Sequence, residues 1–148
     1  MASRTPARPQ VRERPRSPHL FAGFLRLNYR WGPHMLVSIL HRATGSGMAT
    51  VGTLLMVWWL AAIAAGGESY ATFLDVFTRG DGHLNVLGWL VGIGLTASLF
   101  VHMGNGVRHL FMDAGALFEL RRNKLSALAV LAFALVATVA FWLYLGTK

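Results

Sequence analysis

One histidine interrupts an otherwise apolar stretch and is the first candidate for chemistry. His102 lies in a run from Leu84 to Val107 that carries no charged residue. In a helix with 100° per residue, His102 belongs to a stripe about 80° wide along one side, and that stripe comprises Gly88, Val91, Leu95, Ser98, His102, Gly106, His109 and Asp113. An ionisable side chain inside an apolar helix usually faces a bundle interior, a cavity or a cofactor.

Two interpretations of His102 remain open on spacing alone. One ring nitrogen of a neutral imidazole can bind haem iron while the other makes a hydrogen bond, and Gly104 and Gly106 would leave room for the macrocycle. Alternatively, His102 forms a hydrogen bond to a neighbouring helix, and the glycines are contacts for close helix packing.

A serine and an arginine one helical turn apart form the second candidate. Ser38 and Arg42 share a helix side with Gly45, Ala49, Gly52 and Met56, and His41 lies at its edge. A hydroxyl and a guanidinium so placed can hydrogen-bond a carbonyl oxygen of a membrane-borne ligand such as a quinone head group. The alternative, which the pair alone favours, is an arginine that reaches lipid phosphates beside a serine that caps a helix.

Membrane-spanning helices must position these residues. The chain of 148 residues is 54% hydrophobic and 14% charged, which is too apolar for an ordinary soluble domain. A hydrocarbon core of about 30 Å needs about 20 apolar residues per helix, and three uncharged runs have that length, at about 43–65, 84–107 and 125–146. The sequence predicts an all-α integral membrane protein with three transmembrane helices, whose anchor spans residues 34–148.

The basic residues predict the orientation. Eight arginines lie within the first 42 residues and four basic residues between positions 108 and 124, whereas the loop between the first two runs has only Arg79. The positive-inside rule then places the N-terminus in the cytoplasm and the C-terminus in the periplasm. Residues 1–33, with five prolines, predict a basic cytoplasmic segment rather than a signal or transit peptide. A bacterial inner membrane is favoured over the mitochondrial inner membrane.

Several functional classes lack the residues that they need. Without cysteine the chain can hold neither an iron–sulfur cluster nor a thiolate zinc site. The acidic residues are too scattered for a catalytic carboxylate pair, and there is no glycine-rich phosphate loop. The uneven placement of the basic residues argues against a nucleic-acid partner.

Three strings together resemble one family. They are RPRSPHL at Arg14 to Leu20, SILHRATG at Ser38 to Gly45, and HMGNGVRHLFMD at His102 to Asp113. In these motifs and in its three-span plan the chain resembles the cytochrome b subunits of succinate dehydrogenase. The segment between the first two strings is longer and more basic than that pattern leads us to expect.

The resemblance implies a set of roles. His102 would be an axial ligand of one b-type haem, with the second axial histidine supplied by a second membrane anchor subunit. Ser38 and Arg42 would help to form the ubiquinone site, and the basic residues near the haem propionates would be His41, Arg108 and His109. Flavin and iron–sulfur clusters would belong to a flavoprotein subunit and an iron–sulfur subunit, and the chain would contact membrane lipid.

Two alternatives remain at this stage. A cytochrome b subunit of a fumarate reductase shares the same apparatus and runs the reaction in the opposite direction. A haem-free membrane adaptor would use the small-residue faces only for packing, with its basic tail on anionic lipid or a soluble protein. A chain that binds two haems by itself is disfavoured, because only His102 lies deep in a span.

Overall fold

The computed structural model describes residues 21–23, 26–27 and 32–147, in two units that divide after Arg30. Within the first unit, strands β1 (Phe21–Gly23) and β2 (Arg26–Leu27) pair antiparallel. The sequence analysis did not predict these strands. An isolated pair of strands this short is at best marginally stable by itself. The rest of the predicted basic segment, including the string RPRSPHL, lies outside the described residues.

The first long helix of the second unit runs from Pro33 to Ala65. It comprises α1 (Pro33–Gly47), a π-helical turn (Met48–Gly52) and α2 (Thr53–Ala65). Proline fits the first turn because its missing N–H would have no partner there. The helix begins about ten residues before the uncharged run at 43–65, because the charged side chain of Arg42 does not interrupt the backbone hydrogen bonds of a helix. Ser38, His41 and Arg42 therefore lie within it.

A short helix follows that the sequence analysis did not predict. Gly66 has a φ of +104°, a value that glycine adopts without steric penalty, and α3 (Gly67–Phe77) begins directly after it. Trp58 of α2 packs against two aromatic rings of α3, with centroid distances of 4.9 Å to Phe73 and 6.0 Å to Phe77. The loop thus folds back onto the helix that precedes it.

The remaining two helices are α4 (Val86–Asp113) and α5 (Leu120–Gly146). Asn85 caps α4, because its Oδ1 accepts a hydrogen bond from the Gly88 backbone N–H at 2.9 Å. Its side-chain amide also donates to the Val76 carbonyl at 2.8 Å. Three helices of the described chain, Pro33–Ala65, α4 and α5, are long and apolar enough to cross a membrane, which confirms the all-α class with three such helices.

Glycines set the register between the helices. A Cβ at Gly45 would meet the His102 ring, and a Cβ at Gly52 would lie 3.7 Å from Leu95. From Gly45 to Gly52 the first helix advances by seven residues, whereas from His102 to Leu95 the contacts on α4 go back by seven residues. The helix α4 therefore runs antiparallel to the first helix. At the centre, Val37 of α1 is fully buried with Ala127 and Val130 of α5. Most large aliphatic side chains stay exposed, as expected where lipid covers them.

Gly88 provides a test of this packing. A Cβ there would overlap the Phe77 carbonyl oxygen, which is held in place because it accepts the Asn85 N–H at 2.9 Å. We expect Gly88→Ala to lower the free energy of unfolding by about 1–3 kcal/mol. Thermal unfolding in mild detergent measures it, with Gly94→Ala as control, because a Cβ at Gly94 meets nothing within 4 Å. Equal unfolding temperatures for the two variants would contradict this account of the turn.

Candidate functional site

The candidate site is centred on His102, on the side of α4 that faces the first helix. Its Nδ1 lies 3.2 Å from the backbone carbonyl oxygen of His41. A Cβ at Gly45 would lie only 2.8 Å from Cε1 of the ring and 3.1 Å from Nδ1. The absence of a side chain at Gly45 therefore lets the imidazole lie against the backbone of α1.

Two further histidines surround this ring. The rings of His41 and His102 are stacked, with centroids 4.0 Å apart and an angle of 7° between their planes. The ring of His109, two turns further along α4, lies 5.6 Å from that of His41 at an angle of 47°. His41 and His102 are half-buried, and His109 is exposed. The structure thus brings His41 of the first helix to His102 and His109 of α4.

This histidine group does not form a centre for a bare metal ion. Among residues 32–147, no three or more His, Cys, Asp or Glu side chains converge in a way that would hold one. The rings of His41 and His102 are stacked, and those of His41 and His109 lie tilted beside each other.

The second predicted pair lies beside this group on α1. Taking Ser38 as the origin, helical geometry places Arg42 at about +40°, Gly45 at about −20° and His41 at about −60°. The Gly45 backbone, against which His102 lies, is therefore between the directions of Arg42 and His41. Ser38 is half-buried and Arg42 is exposed. Neither side chain has a hydrogen-bond partner within the described part of the chain, so both are available to a ligand or another subunit.

Arg108 is not brought to the histidine group. Its Nε donates to Ser126 Oγ at 3.0 Å, one Nη donates to Asn123 Oδ1 at 3.0 Å, and the other donates to Asn105 Oδ1 at 3.3 Å. The resemblance implied a place for Arg108 beside His109 near the haem propionates, but neighbouring residues point about 100° apart on a helix. Arg108 therefore faces α5, where it is 7% exposed.

The surroundings of His102 suit one axial ligand of a haem iron. A histidine ligand binds iron through one nitrogen while the other is hydrogen-bonded, which fixes the tautomer and the ring orientation. Here Nδ1 is engaged by a backbone carbonyl, and Nε2 has no hydrogen-bond partner among the described residues. The donor set of this site fits the cofactor that the sequence suggested.

Two features of the site were not recognised in the sequence. Gly45 was assigned to a face of small residues, but its role as the surface beneath His102 was not. Asn123 and Ser126, the acceptors of Arg108, were also missed. The sequence does contain a pattern for this pair, because two polar residues three apart at the start of an apolar helix lie on one side of it. The pattern does not indicate which arginine they bind.

Comparisons with known proteins cover the whole site. A family model described as succinate dehydrogenase/fumarate reductase transmembrane subunit matches residues 10–141. The succinate dehydrogenase cytochrome b556 subunit of Paracoccus denitrificans is 32% identical over 85% of this chain and 87% of its own length. The mitochondrial succinate dehydrogenase cytochrome b560 subunit of Mus musculus is 32% identical over 84% of this chain and 68% of its own. The cytochrome b556 subunit of Rickettsia felis is 26% identical over 88% and 91%.

Proposed function

The chain belongs to the family of succinate dehydrogenase and fumarate reductase transmembrane subunits, and on that premise we propose how its residues serve the complex. It is the cytochrome b membrane subunit of succinate dehydrogenase, respiratory complex II, and is not catalytic by itself. It is a multi-pass membrane protein with both bacterial and mitochondrial relatives.

We propose that His102 supplies one axial ligand to a single haem b. The names of the relatives, cytochrome b556 and b560, indicate haem b in those proteins. The observation that carries the proposal is the 3.2 Å hydrogen-bond contact between His102 Nδ1 and the His41 carbonyl. It holds the ring in one orientation with Nε2 available. We assign the second axial histidine to the second membrane anchor subunit, as the resemblance to the family implies.

The neighbouring histidines have a supporting role in this proposal. A bound haem supplies a one-electron carrier and presents two anionic propionates. His41 stacks on the ligand ring and His109 lies beside it, so their N–H groups can donate to those carboxylates. Arg108, engaged by α5, acts on the site only by fixing the rotation of α4.

Ser38 and Arg42 form this chain's part of the ubiquinone site. Both lie one turn apart on the side of α1 that also carries Gly45, and both present donors without partners in the described chain. The Ser38 hydroxyl can orient a quinone carbonyl. The Arg42 guanidinium can stabilise the negative charge that develops on a quinone oxygen during reduction. The electrons arrive from succinate through the flavoprotein and iron–sulfur subunits, since this chain has no cysteine for a cluster.

The charge distribution supports an orientation for this assembly. With the N-terminus in the cytoplasm of a bacterium, His41, Arg42 and His109 lie toward the cytoplasmic ends of their helices. That is the side on which soluble flavoprotein and iron–sulfur subunits would dock. The basic segment 1–33 would lie on the same side, beside the lipid head groups or those subunits.

The glycine beneath His102 gives the experiment that tests the haem proposal. In Gly45→Ala, the new methyl group displaces the imidazole from its hydrogen bond, whereas α1 itself tolerates alanine better than glycine. We expect assembly to persist and haem content per complex to fall about tenfold or more, the loss typical of a disturbed ligand support. Reduced-minus-oxidised absorption spectra of the purified complex measure haem, and gel analysis measures the partner subunits.

Gly47→Ala is the matched control, because a Cβ at Gly47 meets nothing within 4 Å. It should retain the haem of the unaltered complex. Equal haem content in both variants would contradict the role given to Gly45. Absence of a b-type band even in the unaltered complex would favour a haem-free adaptor.

A further inference from the structure

A buried cation between α4 and α5 has no anionic partner within the described part of the chain. The guanidinium of Arg108 donates to three neutral oxygens, on Asn105, Asn123 and Ser126. Within residues 32–147 no carboxylate lies at salt-bridge distance from it, and the ion pair found there joins Arg122 to Glu119. Neutral acceptors satisfy hydrogen bonds but leave the charge, and an unpaired charge inside a membrane protein is costly.

Arg108 also lines an open groove between α4 and α5. The part of this α4–α5 groove beside Arg108 has a volume of about 330 Å³, and its lining also includes Ser126, Phe111 and Leu117. A second cavity of about 390 Å³ continues it between Met103, Val130 and Phe133. The two parts share Gly104, Val107 and Ala129. The α4–α5 groove is therefore continuous and apolar, and the Arg108 guanidinium lies at one end of it.

The direction of the groove matches that of a lipid in a bilayer. Arg108 lies near the end of α4, and Arg121, Arg122 and Lys124 surround the start of α5 at the same end. From Ser126 to Phe133 the groove descends seven residues along α5, about 10 Å toward the middle of the span. Basic residues at an interface attract anionic head groups, and the apolar part below them suits an acyl chain.

We propose that the α4–α5 groove binds one anionic phospholipid, with its phosphate at Arg108 and an acyl chain over Gly104 and Ala129. An arginine has five N–H donors, and Arg108 uses three of them within the described chain, so two remain for phosphate oxygens. The phosphate supplies the missing negative charge. The acyl chain covers the opening at Val107 and Ala129, which are exposed. The site lies on the side of α4 away from the histidine group, so the two proposals share no residue that would touch a ligand.

The experiment measures phosphatidylglycerol bound to the purified, delipidated complex by native mass spectrometry. Ala129→Trp fills the exposed groove without altering a buried residue, and Arg108→Gln removes the charge but keeps hydrogen-bonding groups. We expect one tightly bound phosphatidylglycerol per copy of this chain, and an affinity about tenfold weaker or worse in each variant. Val136→Trp, on an exposed part of α5 outside the groove, should bind as the unaltered complex does.

Three results would overturn the proposal. The first is absence of bound lipid in the unaltered complex, and the second is undiminished binding in Ala129→Trp. The third is failure of Ala129→Trp to assemble while Val136→Trp assembles, which would mean that a protein helix of another subunit fills the groove. If only Arg108→Gln fails to assemble, Ala129→Trp still decides. Haem spectra of the same samples report separately on the proposed function.

Discussion

A succinate dehydrogenase that carries His102→Ala is expected to contain essentially no b-type haem. Among the described residues, His102 is the histidine whose Nδ1 is held by a backbone carbonyl, the His41 oxygen, and the substitution removes the Nε2 that the proposal assigns to iron. Alanine is the best helix former, so α4 itself should persist. The measurement is the dithionite-reduced minus oxidised spectrum of the purified complex, normalised to the flavoprotein that co-purifies.

Two controls separate loss of a ligand from loss of folding. His83→Ala alters an exposed histidine in the turn before α4 and should leave the haem unchanged. Imidazole added to His102→Ala should restore part of the b-type band, because the space vacated beside Gly45 has the shape of that ring. An unchanged haem spectrum in His102→Ala would contradict the ligand assignment. Loss of the partner subunits as well, without rescue by imidazole, would point to a structural role.

Replacement of Arg42 by alanine is expected to reduce quinone reduction by succinate about a hundredfold. Removing one donor that stabilises developing negative charge costs roughly 10²–10³ in rate in enzymes where this has been measured. Succinate oxidation coupled to an artificial dye should be nearly unaffected, since the dye takes its electrons before the membrane site. The ratio of the two activities, measured on one preparation, therefore isolates the quinone step.

The matched variants for Arg42 test charge and geometry separately. Arg79→Ala removes an exposed arginine from the loop at the other end of the spans and should keep both activities. Arg42→Lys keeps the charge but loses the planar fork of donors, so an intermediate rate is expected. Equal loss of dye and quinone activity in Arg42→Ala would instead indicate failed assembly and would contradict a role in the quinone site.

The spans were predictable because one physical property decides them. A run of about 20 residues without a charge must form a helix in lipid, since each backbone N–H and C=O needs a partner there. The helix ends were less predictable. Arg42 bounds the uncharged run but not the helix, which begins at Pro33. The helix α3 was not predicted, because Glu68 and Asp75 leave no long uncharged run there.

The candidate residues were predictable where local periodicity carries the information. Ser38 and Arg42 are one turn apart, and His102 is an ionisable group within an apolar helix. Pairings between helices were not predictable in this way. That Gly45 faces His102, and that Arg108 faces Ser126, depends on how the helices are rotated against each other. That rotation follows from contacts such as Val37 with Ala127, which a single sequence does not encode locally.

The acceptor beneath His102 belongs to the main chain, and this affects how the site tolerates sequence change. No substitution at position 41 deletes the carbonyl that engages Nδ1, because every amino acid carries one. A substitution at position 41 therefore removes the ring that stacks on His102 but keeps the backbone oxygen that lies 3.2 Å from its Nδ1. Sequence change at this position can alter one support of the His102 ring while the other is retained.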